Sequence, residues 1–168
     1  LVSFYCDYLG GNRKSKYRIT PITNGILAGL VSITGGCDVY TAYSAILVGG
    51  IGGLLLSLSS YLLVKYKVDD PLDATSVHGA CGVWGLVAIG LFSQNNGIFY
   101  GDNGKQLGIQ LLGAICITIW SAAMSAGLCV ILRHYNTLRT SEQEEEKGMD
   151  QAEFGNSAYS MNSKEMMK

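Results

Sequence analysis

The sequence predicts an all-α, polytopic helical membrane protein, and three observations support this prediction. Long apolar runs recur along the chain, glycine is abundant while proline is scarce, and basic residues concentrate in alternate loops. Of the 168 residues, 48% are hydrophobic and 15% are charged, with 22 glycines and 2 prolines. Small residues let helices approach closely in lipid, where packing holds them together. The net charge of −1 argues against nucleic-acid binding, which needs a basic surface.

The apolar runs set the predicted helices. About 20 apolar residues are needed to span a bilayer as a helix. The predicted spans are Ile22–Cys37, Tyr43–Val64, Ala74–Phe92 and Leu107–Leu132, of which the first is the shortest. A further run, Leu1–Leu9, has no initiator methionine or signal-peptide pattern before it, so we expect a fragment that starts inside a helix.

The loops between these runs alternate in charge. Lysine and arginine prefer the cytoplasmic side of membrane proteins. One set of loops holds Arg13, Lys14, Lys16, Arg18, Lys65, Lys67, Arg133 and Arg139, whereas the other holds Asp38, Asp102 and Lys105. We therefore expect a transmembrane part at residues 1–134 and a cytoplasmic tail at 135–168. The polar tail composition is equally compatible with disorder.

The stretch Asp69–Gly85 carries the candidate site. His78 lies a turn or two into a predicted span, where an ionisable side chain is a functional hypothesis by default. A neutral histidine bonded to a backbone carbonyl is an equally weighted alternative. Gly79, Gly82 and Gly85, spaced by three, are predicted to form a groove that admits another helix.

Three acids precede His78 at the predicted cytoplasmic mouth of this helix. Proline fits the first position of a helix, so Pro71 is predicted to begin it. Asp69, Asp70 and Asp73 would then meet the positive end of the helix. Helix capping is the favoured interpretation of these acids. We predict that Asp73 organises this mouth and is not itself a cation-binding site.

The remaining motifs indicate packing. The pairs Gly25–Gly29 and Gly49–Gly53 are GxxxG spacings without the charged or hydroxyl partners of a phosphate loop. The five cysteines form no CxxC pair. We therefore expect no metal, no cofactor and no disulfide framework, and the sequence predicts no catalytic residues and no enzyme.

Three blocks resemble the ammonium transporter family (Amt/Mep/Rh). Asp69–Gly85 is similar to the family's tenth helix, and Asn24–Thr34 is similar to its eighth. The tail resembles the family's cytoplasmic signature at Gly148, Met149, Asp150, Gly155, Ala158 and Tyr159. The proline after the acid pair and the Cys81–Gly85 run are more similar to the Amt branch than to Rh. Phe154 and Ala152 depart from the family, which commonly has a histidine and a threonine there.

This resemblance implies the carboxy-terminal part of an eleven-helix, inverted-repeat transporter that assembles as a homotrimer. The chain would hold the end of helix seven and helices eight to eleven. His78 would be the second of two paired pore histidines. The first histidine, the recruitment site and the gate would lie outside this chain. The implied activity is ammonium deprotonation and conduction through a hydrophobic pore.

The resemblance also implies partners and a location. The implied partners are ammonium or ammonia, the lipid bilayer, and a cytoplasmic regulator at the tail residues Gly148, Asp150, Gly155 and Tyr159. The expected location is the plasma membrane. Ala74 and Gly82 share the face of His78 at a spacing of four, so these three residues are predicted to line the substrate pathway. An ammonium sensor of the same fold and a non-transporting membrane scaffold remain alternatives.

Overall fold

The computed structural model describes residues 19–148, and this part of the chain is helical. No β-strand occurs among these residues, which bears out the all-α prediction. A π-helical segment, Thr75–Ala80, leads directly into α3, and a short 3-10 turn, Ile98–Tyr100, follows it. The α-helices are α1 (Ile19–Thr34), α2 (Ala42–Lys65), α3 (Cys81–Phe92), α4 (Lys105–His134) and α5 (Glu142–Lys147). The run Leu1–Leu9 and most of the tail lie outside the described residues.

Three helices are long and apolar enough to cross a membrane. They are α2, the continuous Thr75–Phe92 and α4, with mean hydropathies of 1.9, 1.5 and 2.1. This result confirms three of the four predicted spans. The fourth, α1, has 16 residues and ends at Thr34, short of the predicted Cys37. Here the chain tightens into turns, in which the Gly36 amide donates to the Ile33 carbonyl at 3.2 Å.

The ends of α2 follow from its terminal residues. The Thr41 hydroxyl accepts a hydrogen bond from the Ser44 amide at 3.1 Å, which satisfies one of the free amides of the first turn. At the other end, Lys65 places a positive charge in the last turn, where it complements the helix dipole. Lys67 then adopts a left-handed conformation with φ of 57° as the chain leaves the helix.

Helices α1, α2 and the Thr75–Phe92 segment pack around a small core. Its members are Ala28, Leu56, Val77 and Cys81, each at most 3% exposed, with Val31 packed against them. Two of the GxxxG glycines, Gly29 and Gly49, meet at the α1–α2 contact, since a Cβ on Gly49 would lie 3.9 Å from the Gly29 Cα. Small residues therefore set the distance between these two backbones, as predicted.

The three glycines near His78 differ in their surroundings. A Cβ on Gly85 would lie 2.9 Å from the Ser32 carbonyl oxygen, so α1 and α3 touch there backbone to backbone. A Cβ on Gly82 would only make ordinary contact with Val31, at 3.9 Å. One on Gly79 would meet only Thr75 of its own segment. Among the described residues the predicted groove is therefore tight at Gly85 and does not include Gly79.

The described residues fall into two compact units that divide at Thr118, within α4. In the first unit, α4 begins beside α3, because a Cβ on Gly90 would lie 2.6 Å from the Leu107 Cα. In the second unit, the His134 and Tyr135 rings meet at a centroid distance of 5.4 Å. Helix α5 then begins with a capping box, in which Ser141 and Glu144 exchange side-chain-to-backbone hydrogen bonds.

Candidate functional site

His78 lies in the π-helical segment Thr75–Ala80. A π-helix is wider than an α-helix, and its single turns occur frequently at functional sites. Ser76 and Val77 are 0% and 2% exposed and pack against α1 and α2. His78, in contrast, is exposed within this chain. The segment therefore buries one side and presents the imidazole on the other.

A tight turn delivers the chain into this segment. The Asp73 amide donates to the Asp70 carbonyl at 3.1 Å, with Pro71 as the second residue of the turn. Proline favours that turn position because its φ is already fixed there. The prediction that Pro71 begins the helix is therefore wrong, since the helical segment starts three to four residues later.

Asp70 caps the segment with both carboxylate oxygens. Oδ1 accepts from the Ala74 amide and Oδ2 from the Thr75 amide, each at 2.9 Å. These amides have no partner within the helix, so the carboxylate satisfies them and faces the positive end of the helix dipole. Asp69, one residue earlier, is exposed.

Asp73 does not cap the helix; its carboxylate joins two other helices. Ser60 of α2 donates its hydroxyl to Oδ1 at 2.7 Å. Asn24 of α1 donates its amide to Oδ2 at 3.2 Å. The Asp73 backbone is left-handed, with φ of 54°, which is uncommon for a residue other than glycine. Asp73 therefore ties α1, α2 and the start of the His78 segment together.

Further hydrogen bonds fix the segment and α3 to α2. The hydroxyls of Ser76 and Ser59 lie 3.1 Å apart. The Cys81 thiol donates to the Gly52 carbonyl at 3.4 Å, and the Trp84 indole donates to the Val48 carbonyl at 3.0 Å. Sequence reasoning missed Asn24, Ser60 and these partners of α2. For Asn24, Ser59 and Ser60 the only signal was a polar residue within an apolar run, and the backbone carbonyls of Gly52 and Val48 had none.

The predicted pathway residues lie in two environments. Ala74 and His78 are exposed in this chain, while Gly82 is half-buried beside Val31 of α1. The structure thus leaves the imidazole and the residue a turn before it open to an approaching molecule. Of the predicted tail residues, Gly148 ends α5 with φ of 86°. Asp150, Gly155 and Tyr159 lie outside the described residues.

The chemistry available at this site is that of one imidazole on an anchored helix. Between residues 19 and 148, no three histidine, cysteine or acidic side chains come together as metal ligands would. The carboxylate nearest along the chain, Asp73, is already engaged by two neutral donors. An imidazole held in this way can donate or accept a proton at a fixed position.

The sequence matches the family model described as the Ammonium Transporter Family over residues 7–159. Among curated proteins, it is 39% identical over 157 residues to ammonium transporter 1 member 1 of Arabidopsis thaliana, covering 85% of this chain and 31% of that protein. Its identity to ammonium transporter 1 member 1 of Solanum lycopersicum is 35%, over 85% of this chain and 32% of that protein. The chain spans about a third of the length of these relatives.

Solved structures show the same fold. The crystal structure of Saccharomyces cerevisiae Mep2 superimposes with a TM-score of 0.77 at 28% identity, covering 94% of this chain and 39% of that one. The crystal structure of Candida albicans Mep2 gives a TM-score of 0.73 at 22% identity, over 85% of this chain and 34% of that one. The second likeness concerns the fold alone.

Proposed function

Because this chain belongs to the ammonium transporter family, we propose that it works as part of a transporter that moves ammonium or ammonia across a membrane. The observation that carries the proposal is the placement of His78. Its helix is anchored to α1 and α2 on one side and presents the imidazole on the other, open side. A structural histidine would instead be expected to turn toward its packed neighbours.

The proposed pathway runs past Ala74, His78 and Gly82. Moving bare ammonium through an apolar pore costs several kcal/mol even after relaxation, about the penalty for burying one ion. Neutral ammonia avoids this penalty, provided that ammonium first gives up a proton. A neutral imidazole can accept that proton. Potassium has no proton to give up, so the same pore excludes it.

A second histidine completes this mechanism. We propose that it comes from a segment of the transporter corresponding to the part of the relatives that this chain does not match. Two neighbouring imidazoles would fix each other's tautomers and pass a proton between them. The open side of the His78 segment provides room for such a partner.

In this proposal, Asp73 is structural and does not bind the transported cation. Its carboxylate accepts hydrogen bonds from Asn24 and Ser60, which lie on different helices. Asp70 is likewise occupied in capping the segment. These acids, together with Asp69, shape the cytoplasmic mouth of the pathway.

We further propose a plasma-membrane homotrimer with a cytoplasmic carboxy terminus. The basic residues Lys65 and Arg133 lie in the last turns of α2 and α4, whereas Asp102 precedes α4 at the opposite end. By the positive-inside rule, this distribution supports an orientation with the ends of α2 and α4 on the cytoplasmic side. The tail signature at Gly148, Asp150, Gly155 and Tyr159 would then dock on the cytoplasmic face, where a regulator acts.

His78→Ala in the full-length transporter tests the proposed function. We expect ammonium flux to fall by about 100-fold, on the scale of losing a positioned proton acceptor, and potassium exclusion to weaken. The measurements are ammonium uptake in yeast that lacks its own ammonium transporters, and ammonium and potassium currents in oocytes. The amount of protein at the cell surface normalises both.

The matched control is His134→Ala, which removes the histidine in the last turn of α4. Because His134 is exposed and lies outside the proposed pathway, its loss should leave flux and selectivity near those of the parent. Unchanged flux and selectivity in His78→Ala, beside a functional parent, would contradict the pathway assignment. That result would leave His78 as a packing residue.

A further inference from the structure

Two residues five positions apart are both buried against α2, and an ordinary helix could not place them so. Ser76 and Cys81 are each 0% exposed. Ser76 meets Ser59, and Cys81 meets the Gly52 carbonyl, both on α2. With 3.6 residues per turn, five α-helical residues turn through about 500°, which leaves the two side chains about 140° apart. The π-helical turn removes much of this difference, because its hydrogen bonds join residues five apart and each of its turns therefore holds more residues than an α-helical turn.

The orientation of His78 depends on this wider turn. His78 lies between Ser76 and Cys81 and is exposed, while both of them face α2. If the segment relaxed to an α-helix while α3 kept its anchors at Cys81 and Trp84, the residues before Cys81 would rotate about the helix axis. His78 would then move from its present direction toward the packed side.

The start of the segment is held from two helices at once. Asp73 receives the Ser60 hydroxyl at 2.7 Å and the Asn24 amide at 3.2 Å. Its left-handed backbone, with φ of 54°, is a conformation that persists only when its surroundings impose it. The two side chains that grip its carboxylate are such a constraint, because they fix its position relative to both α1 and α2.

We propose that Asn24 and Ser60 are positioning residues for His78. By holding Asp73, they fix the rotation of the incoming chain, maintain the π-helical register of Thr75–Ala80, and direct the imidazole away from α2. The consequence for transport rests on the proposed function, in which His78 lines the pathway. The effect on the direction of the His78 ring does not rest on the proposed function.

The structural test is the double variant Asn24→Leu/Ser60→Ala in the full-length transporter, solved by cryo-electron microscopy. Both substitutions remove the donors to Asp73 and leave His78 itself unchanged. We expect the segment to shift toward α-helical register and the His78 ring to rotate toward α2. A retained π-helical turn with His78 in its present direction would overturn the proposal, whether or not the protein transports ammonium.

Exchanging the residue types at positions 24 and 73, so that the carboxylate and the amide change places, supplies a rescue test. Asn24→Asp alone places two carboxylates together, and Asp73→Asn alone places two amides together. Combining them restores the pair with its polarity reversed, because the amide of the new asparagine can donate to the new carboxylate. Its carbonyl can still accept from the Ser60 hydroxyl.

We expect Asn24→Asp to lower ammonium flux per surface protein by on the order of tenfold, without a new potassium current, because its carboxylate cannot donate to Asp73. Asp73→Asn should lower flux less, since the Asn24 amide can rotate and accept from the new asparagine. The combined variant should recover most of this loss, which a general loss of stability would not predict. Failure of the combined variant to recover flux at normal surface amounts, in a transporter whose flux His78→Ala abolishes, would overturn the proposal. This rescue also decides the matter if the Leu/Ala double variant does not fold.

The matched control is Thr118→Val. It removes a hydroxyl that donates at 2.7 Å to the Ala114 carbonyl within α4, away from Asp73. We expect the ammonium flux of the parent and an unchanged direction of the His78 ring. If His78→Ala has no effect while the Asn24 and Ser60 variants still rotate the ring, the proposed function fails but this inference stands. If the His78 ring keeps its direction in the Asn24 and Ser60 variants while His78→Ala abolishes flux, this inference fails and the proposed function stands.

Discussion

At the scale of single residues, the sequence predicted which helix carries the chemistry but not what holds it. The acids and His78 lie close together in sequence, so their relation to one helix end was visible from spacing. The partners of Asp73 were not, because Asn24 lies 49 residues away and Ser60 lies 13 away on a separate helix. A side chain that bonds across helices leaves no local pattern.

Tyr40 provides a prediction of pH dependence outside the membrane spans. Burial raises the pKa of its phenol from 10.0 to about 12, and its hydroxyl donates to the Gly85 carbonyl at 3.4 Å. Because the folded-state pKa is the higher one, Tyr40 favours the folded state below about pH 10. This contribution is lost as the pH rises toward 12. Tyr40→Phe should therefore reduce the fall in stability over that range.

The measurement is thermal unfolding in detergent between pH 8 and the highest pH at which the parent stays folded. Near neutral pH, Tyr40→Phe should cost at most about 1 kcal/mol, since the single hydrogen bond lost is long. Identical pH profiles for the parent and the variant would show that the phenol is not buried as described.

At the scale of helices, apolar runs predicted α1 to α4, and the errors in these four helices fall at the ends. They did not predict α5, which lies in a charged run. Helix α1 stops at Thr34 because the following glycines allow tight turns, although the apolar run continues. Proline suits both a helix start and a turn, so the sequence around Pro71 does not distinguish the two. The π-helical segment had no sequence signal, since it arises from anchors on both sides of His78.

The contact between α1 and α3 makes a prediction about glycine. In Gly85→Ala, the new Cβ would lie 2.9 Å from the Ser32 carbonyl, and backbone cannot give way as a flexible side chain can. We expect a loss of about 1–3 kcal/mol in the free energy of unfolding, as for other overpacked sites. Thermal unfolding of purified protein in detergent is the measurement.

Gly50→Ala is its control on a neighbouring helix. A Cβ on Gly50 meets nothing within 4 Å, so alanine should be neutral or should stabilise α2 by up to about 1 kcal/mol. Equal unfolding temperatures for the Gly85 and Gly50 variants would mean that the α1–α3 approach is looser than the structure shows.

At the scale of the whole molecule, membrane crossing was predictable because it depends on length and composition, which a sequence states directly. Length and composition do not state the number of subunits or whether the tail docks. Gly148 ends α5 with φ of 86°, a backbone conformation that favours glycine. The chain therefore changes direction at this residue. We predict that the following residues dock on the cytoplasmic face and tune transport.

Truncation of the full-length transporter after Thr140 tests this role. Removing α5 and the tail signature should change ammonium flux or trimer stability, measured by uptake and by size-exclusion chromatography. Truncation after Ser160 is the control, because it keeps the stretch from Gly148 to Tyr159. If both truncations behave like the parent, the tail is a solvated extension without a docking role.

The length of α4 has a consequence for the membrane around the protein. Its 30 residues extend about 45 Å, whereas the hydrocarbon core of a typical bilayer is about 30 Å thick. Charges at Lys105 and Arg133 must nevertheless reach the headgroup layers at either end. The two charges lie about 42 Å apart along the axis, which is about the thickness of a bilayer with its headgroups, so α4 reaches both headgroup layers with little tilt. The 18-residue segment Thr75–Phe92 is much shorter, so a thicker bilayer that suits α4 leaves this segment mismatched. Reconstitution in lipids of graded acyl-chain length should therefore give the greatest stability at an intermediate thickness.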